Sequence, residues 1–264
     1  MPEPKKWMRL DNAAKIFPAV KRRDWSNVFR LSATLTQPID PLLLQEAVRL
    51  VAPRFPSMLV SLHRGLFWYY LEQVPEPPRV RPDSSCPLVH MTSRELETCA
   101  LRVLYFRNRI AVEFFHSITD GNGGLVFLKT LTAAYVSLRD GISIPPEEGV
   151  LDWHMPPDPA EWEDSFLKVA GQVSMSRREE NAFRIQGPRE QDGFLHLTVA
   201  TVSSEALRTL AKAHGVTITA FLAAVMLQAI MELRPRRSHR WAKVTIPVDL
   251  RRLFESRTLR NFAL

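Results

Sequence analysis

Phe114-Phe115-His116-Ser117-Ile118-Thr119-Asp120-Gly121-Asn122-Gly123-Gly124 is the stretch whose reading decides the fold. Residues 110–115 before it form a β-rich apolar run, and residues 125–138 after it form an apolar run of helical length. The order is therefore strand, polar loop, glycine turn, helix. A strand that ends in a loop can deliver a polar side chain to a pocket while the sheet holds its base rigid. A neutral imidazole at His116 suits general-base work, because its proton affinity lies near working pH. Asp120 has two options: to pair with a basic group and fix the turn, or to point at the imidazole. The glycines at 121, 123 and 124 permit a tight entry into the helix.

Context carries this reading, not spacing. His154 and Asp158 also stand in an HxxxD arrangement, but in a proline-rich stretch with no strand before it. Other readings of residues 114–124 fail on detail. A dinucleotide fingerprint needs a third glycine at Val126, and the lysine of a phosphate-binding loop is missing. Ser117 adjoins His116, so the two face opposite ways on a strand, and no GxSxG elbow occurs. A metal would need a third ligand, and none stands at motif spacing, so no metal site is expected.

Outward from the motif, strands and helices alternate. Residues 27–36 read as a strand, followed by Asp40-Pro41, a helix cap with proline at the first helical position, and a helix from Leu42 to about Val51. Met58 to His63 and Leu66 to Leu71 flank Arg64-Gly65 as one hairpin; Arg102 to Phe106 and Ile110 to Phe115 flank residues 107–109 as another. The helix after the glycine turn is expected from about Leu125 to Leu138. Between Ile144 and Glu161 stand Pro145, Pro146, Pro156, Pro157 and Pro159, which suit a linker or crossover. Beyond lie an expected strand from Phe194 to Val202 and a helix from Ser203 to His214, capped by Ser203 or Ser204. A second helix over Gly215 to Met231 carries no charge and is expected to be buried rather than to span a membrane. Ala242 to Val248 reads as a buried strand. The chain stops at Asn261 to Leu264 in the middle of what reads as another strand, which suggests a truncated chain.

Composition excludes several classes. Of 264 residues, 45% are hydrophobic and 24% charged, as in a globular protein rather than a disordered or collagenous one. Two cysteines, Cys86 and Cys99, make neither a zinc pattern nor a disulfide framework. The N-terminal Met-Pro-Glu-Pro-Lys-Lys-Trp has no apolar core or cleavage site, so a cytoplasmic location is expected. The net charge of +7 is mostly arginine, concentrated at Lys21-Arg22-Arg23 and from Arg234 to Arg240. These clusters read as solvated surface. No zinc finger, RNA-binding aromatic signature or basic zipper accompanies them, which leaves nucleic acid the weaker alternative.

Strand-HxxxDG-helix resembles the acyltransferase superfamily that includes chloramphenicol acetyltransferase, nonribosomal peptide condensation domains, BAHD-type plant acyltransferases and bacterial alcohol acetyltransferase-like proteins. A second match is Val244-Thr245-Ile246-Pro247-Val248-Asp249-Leu250-Arg251, which looks like the superfamily's strand ending in arginine, followed by Asn261-Phe262. The likeness is nearest to the alcohol acetyltransferase-like proteins and spans almost the whole chain.

The resemblance implies an α/β fold, a chloramphenicol acetyltransferase-like two-lobed sandwich with a tunnel between lobes and an incomplete second lobe. Residues 1–144 would form the N-terminal lobe, 145–161 the crossover and 162–264 part of the C-terminal lobe. His116 would deprotonate an alcohol or amine, which attacks an acyl thioester of coenzyme A or a carrier protein. Asp120 would be structural, salt-bridged to Arg251. Gly121 would admit substrate close to the backbone, with Phe115, Ser117, Gly123 and Asn261 along the tunnel. Acyl-CoA or acyl-pantetheine would be a co-substrate, with no permanently bound cofactor. Two departures stand out. Condensation domains carry two histidines where this chain has Phe115-His116, and the BAHD-type DFGWG motif is absent. Two alternatives follow: a non-catalytic acyl-thioester-binding protein of the same fold, or a condensation-like amide or ester former.

Overall fold

The computed structural model describes residues 7–21, 25–84, 86–169, 181–188, 190–191, 194–235 and 239–263. Its strands are β1 (Trp7–Arg9), β2 (Val28–Thr34), β3 (Val60–Arg64), β4 (Tyr69–Gln73), β5 (Arg81–Pro82), β6 (Leu101–Phe106) and β7 (Arg109–Phe115). Its helices are α1 (Ile16–Ala19), α2 (Pro41–Val51), α3 (Ser93–Thr98), α4 (Gly121–Asp140), α5 (Phe166–Val169), α6 (Ser204–Ala213) and α7 (Ile218–Leu233). Two compact units emerge: one of residues 1–171, 192–195 and 248–264, the other of 172–191 and 196–247.

The first unit is built on a sheet ordered β2-β7-β6-β5, antiparallel except for the β5–β6 edge. β7 is its central strand and is buried at every position from Ile110 to Phe115. That explains its near-continuous apolar sequence. The one charge among its buried positions, Glu113, lies opposite Arg30 of β2 and Arg102 of β6. It accepts from Arg30 at 3.2 Å, from Arg102 at 3.0 Å and from the Leu88 N–H at 2.8 Å, so the buried carboxylate is fully partnered. α2 starts where Asp40 accepts from the Leu42 and Leu43 N–H groups, and it buries Leu44, Ala47, Val48 and Val51 at helical spacing. A smaller antiparallel sheet, β1-β4-β3, completes this unit. Its hairpin closes through residues 65–68 rather than at Arg64-Gly65, and Leu66, Phe67 and Trp68 stand exposed at the tip.

α4 differs from the sequence expectation. The glycines are its first turn, not a loop before it. Asp120 caps the helix by accepting from the Gly123 N–H at 3.1 Å, and Gly141, at φ 66°, ends it in the left-handed conformation. The proline-rich crossover has no long element, but Leu151 and Trp153 pack on the core. Its end is fastened where Glu161 accepts from both terminal guanidinium nitrogens of Arg54.

The second unit holds α6, capped by Ser203, and α7, capped by Thr217. Neither expected strand forms here: residues 196–202 and 242–247 are irregular. Among the described residues of this unit the only β pairing is one bridge, Ala182 to Trp241. β-rich sequence without a partner has nothing to complete its ladder. α7 is not buried as expected; none of its residues is fully covered. Among the described residues no single helix is long and apolar enough to cross a membrane. Of the basic clusters, Arg22, Arg23, Arg236 and Arg237 lie outside the described residues.

Two carboxylates give the first unit an acid-sensitive signature. Burial pushes Asp83 upward, but Arg30 and Arg109 beside it more than offset that and hold it below the usual carboxylate range. Glu95 is likewise held down, against burial, by the Thr92 N–H and Arg102. A lowered folded pKa stabilises above the unfolded value, and that stabilisation is lost as pH falls through the folded one. Urea denaturation of wild type and Asp83→Asn should therefore differ near neutrality and converge toward about pH 2. A gap that stays constant with pH would contradict this.

Candidate active site

His116 lies one residue beyond β7, half-buried, with its backbone N–H donating to the Asn27 carbonyl at 2.9 Å. Asn27 has φ 52°, a left-handed conformation that asparagine tolerates better than most residues. The imidazole stacks on Phe17 at 4.2 Å between centroids and 14° between planes, and meets Phe29 at 4.9 Å. One stacked and one tilted aromatic ring thus confine the imidazole plane. Nδ1 lies 3.1 Å from Asn261 Oδ1, and Nε2 has no hydrogen-bond partner among the described residues. Ser117, the next residue, faces the other way: it is buried, and its hydroxyl donates to the Ala14 carbonyl at 3.2 Å.

Asp120 is spent on structure. Oδ1 accepts from the Gly123 N–H at 3.1 Å and Arg251 Nη2 at 3.0 Å; Oδ2 accepts from Arg251 Nη1 at 2.9 Å and the Phe262 N–H at 2.8 Å. Arg251 is equally committed. Besides Asp120 it donates from Nε to the Thr258 carbonyl at 2.7 Å, from Nη2 to the Arg260 carbonyl at 2.6 Å and from Nη1 to Asp249 at 2.9 Å. Those five bonds use all five N–H groups of a guanidinium. Arg251 does not end a strand, as expected from the sequence; it sits on a 3₁₀ turn, Leu250–Arg252, capped by Asp249. Residues 261–263 are likewise not a strand, and their only β pairing among the described residues is the Asp249–Ala263 bridge.

The structure therefore brings His116, Asp120, Arg251 and Asn261 together inside the first unit. Phe115 is fully buried in the core, and Gly123 is enclosed. Gly121 is open, with no atom within 4 Å of where a Cβ would stand. At Gly123 a Cβ would lie 2.1 Å from the Leu259 carbonyl oxygen and 2.3 Å from Thr119 Oγ1. Those atoms cannot easily retreat, because Leu259 donates to the Glu161 carbonyl at 2.6 Å and accepts from Thr119 at 2.6 Å. Gly123→Ala should cost about 1–3 kcal/mol by overpacking, whereas Gly121→Ala should be neutral or slightly stabilising. Urea denaturation of the two variants checks the pair; equal losses would show that the close approach at Gly123 is unimportant.

Sequence reasoning missed the other half of the site. Asp11 is completely buried, accepting from the Ala14 N–H at 2.7 Å and from Asn261 Nδ2 at 3.3 Å, with Arg260 Nε at 3.5 Å. Phe17 and Phe29 supply the walls around the imidazole. A single acid in the stretch Asp11-Asn12-Ala13-Ala14-Lys15-Ile16-Phe17, without helical or strand periodicity, gave no sign of this.

No protein-family model and no curated protein sequence matches this chain. Solved structures do. Polyketide synthase associated protein 5 from Mycobacterium tuberculosis aligns over 92% of this chain and 60% of its own, with a TM-score of 0.55 and 14% identity. SgcC5 protein from Streptomyces globisporus covers 54% of this chain and 39% of its own, with a TM-score of 0.42 and 20% identity. The first condensation domain of the calcium-dependent antibiotic synthetase covers 53% and 39%, with a TM-score of 0.39 and 16% identity. The chain thus spans 60% or less of the length of these three proteins. At such identities the likeness is one of fold, and the fold shared with polyketide synthase associated protein 5 is a mixed α/β architecture.

Proposed function

We propose that this chain carries the base of an acyltransferase that moves an acyl group from a thioester to an alcohol or amine. The observation that carries the reading is the division of labour at the motif: Asp120 has both oxygens occupied, while His116, just past the end of β7, has no hydrogen-bond partner for Nε2 among the described residues. A carboxylate that accepts four hydrogen bonds, two from an arginine, is a poor proton acceptor. The imidazole is the group left to do that work.

In this scheme His116 Nε2 takes the proton of the acceptor's hydroxyl or amine as its oxygen or nitrogen attacks the thioester carbonyl. The tetrahedral intermediate collapses by breaking the C–S bond, and the imidazolium returns its proton to the departing thiolate. Backbone N–H groups near open Gly121 are candidates for the oxyanion. The donor is acyl-CoA or the acyl-pantetheine of a carrier protein, which present the same arm, and the setting is cytoplasmic. Within the superfamily the chain is nearest to the alcohol acetyltransferase-like branch. Phe115-His116 in place of paired histidines favours this over peptide-bond formation.

The test is thiol release from acetyl-CoA in the presence of a panel of primary alcohols and amines. Acceptor-dependent release supports the reading. Saturable acetyl-CoA binding with no release under any acceptor would replace it with a non-catalytic thioester-binding role.

A further inference from the structure

His116 touches Asn261, but an amide can present either its oxygen or its nitrogen, so this contact alone leaves the imidazole tautomer open. The group behind the amide decides it. Asp11 is fully buried, and Asn261 is nearly so. Among the described residues, each group that contacts the Asp11 carboxylate is a donor: the Ala14 N–H at 2.7 Å, the Asn261 amide at 3.3 Å and the Arg260 guanidinium at 3.5 Å. Burial pushes the Asp11 carboxyl above the usual carboxylate range and nearby Asp164 adds to that push, while Arg260 and the hydrogen bonds from Ala14 and Asn261 oppose it without cancelling it. With one donor at Oδ1 and two at Oδ2, both Asp11 oxygens accept. Asn261 therefore turns its NH₂ to Asp11 and its carbonyl oxygen to His116, and a carbonyl facing Nδ1 requires a proton there. A flipped amide would set oxygen against carboxylate oxygen in a dry site.

We propose that Asp11 is a positioning residue: acting through the Asn261 amide, it holds His116 as the Nδ1–H tautomer and leaves Nε2 as the proton acceptor. This rests on His116 being the base of the acyl-transfer reaction, and it deepens that reading by assigning the control of its protonation site to a residue in the N-terminal segment. Asn261 thereby acts as a polar relay and not as part of a substrate passage. The stacking on Phe17, which lies in the same segment, fixes the ring plane in which the relay works.

The experiment is NMR of the full chain with ¹⁵N-labelled histidine, without substrate, at a pH where the imidazole is neutral. The His116 signals are assigned by their loss in His116→Gln. In wild type, the pyrrole-type shift is expected on Nδ1 and the pyridine-type shift on Nε2. In Asp11→Asn one of the surrounding donors must meet another donor, so the amide turns and the Nε2–H form becomes the major species. In the thiol-release assay the same variant should lose about 10–100-fold in kcat with KM for acetyl-CoA unchanged. An Nε2–H tautomer in wild type, or an unchanged Nδ1–H population in folded Asp11→Asn, would overturn the proposal. If Asp11→Asn fails to fold, Asn261→Ala supplies the second arm: it removes the acceptor, so a persisting pure Nδ1–H form would again refute the relay. The tautomer is read without turnover, so a wild-type protein that shows Nδ1–H but releases no thiol separates failure of the acyl-transfer reading from failure of this one.

Discussion

Arg251→Met should lower the free energy of unfolding by about 3–5 kcal/mol, the usual cost of removing one partner of a buried ion pair. The pair is buried on both sides, with Arg251 8% and Asp120 7% exposed at the side chain. Removing the guanidinium leaves a carboxylate that has lost two of its four donors, and it strands the Thr258 and Arg260 carbonyls that Arg251 also satisfied. Methionine fills comparable volume, so the loss reports on the missing charge and hydrogen bonds more than on a cavity. The paired replacement Asp120→Asn with Arg251→Met should cost less than the sum of the two singles, because the second change relieves the charge stranded by the first. Chemical denaturation of the four proteins measures both quantities. A single-variant loss below about 1 kcal/mol, in the range of exposed ion pairs, would mean that residues 249–263 are held to the motif turn by something else.

What the sequence revealed, and what it hid, follows from how far each interaction reaches along the chain. α2 was legible because its cap, proline and buried stripe lie within Asp40 to Val51. The β6–β7 hairpin was legible for the same reason, with its pairing closed across residues 107–108. The start of α4 was not. Gly121 to Gly124 reads as a turn until one knows that the Leu259 carbonyl occupies the space beside Gly123, so that a glycine is needed inside a helix. The β-rich stretches 196–202 and 242–247 carry strand composition, but composition does not supply a neighbouring strand. At the site, the local part of the motif was visible and the Arg251 partner came from resemblance. Asp11 meets Asn261 across 250 positions of sequence, and nothing in a single chain's periodicity marks such a contact.

His116→Ala should reduce acceptor-dependent thiol release by about 10²–10⁴-fold, the contribution expected of a positioned general base. At about 1.36 kcal/mol per factor of ten, that is roughly 3–5.5 kcal/mol of barrier. The loss should fall on kcat, with KM for the thioester little changed, because the imidazole meets the acceptor's proton and does not hold the pantetheine arm. Folding should survive. The truncation removes a half-exposed ring stacked on Phe17, but it leaves the Asp120–Arg251 pair, the Gly123 cap bond and the Thr119–Leu259 bond in place. This is what distinguishes His116 from Asp120, whose replacement should damage stability as well as activity through the donors it leaves unmatched. A folded His116→Ala protein with near-normal turnover would remove the imidazole from the chemistry. With Asp120 saturated and Ser117 buried against Ala14, neither adjacent polar side chain could take its place. The site would then be left with a thioester-binding role and no base within the motif.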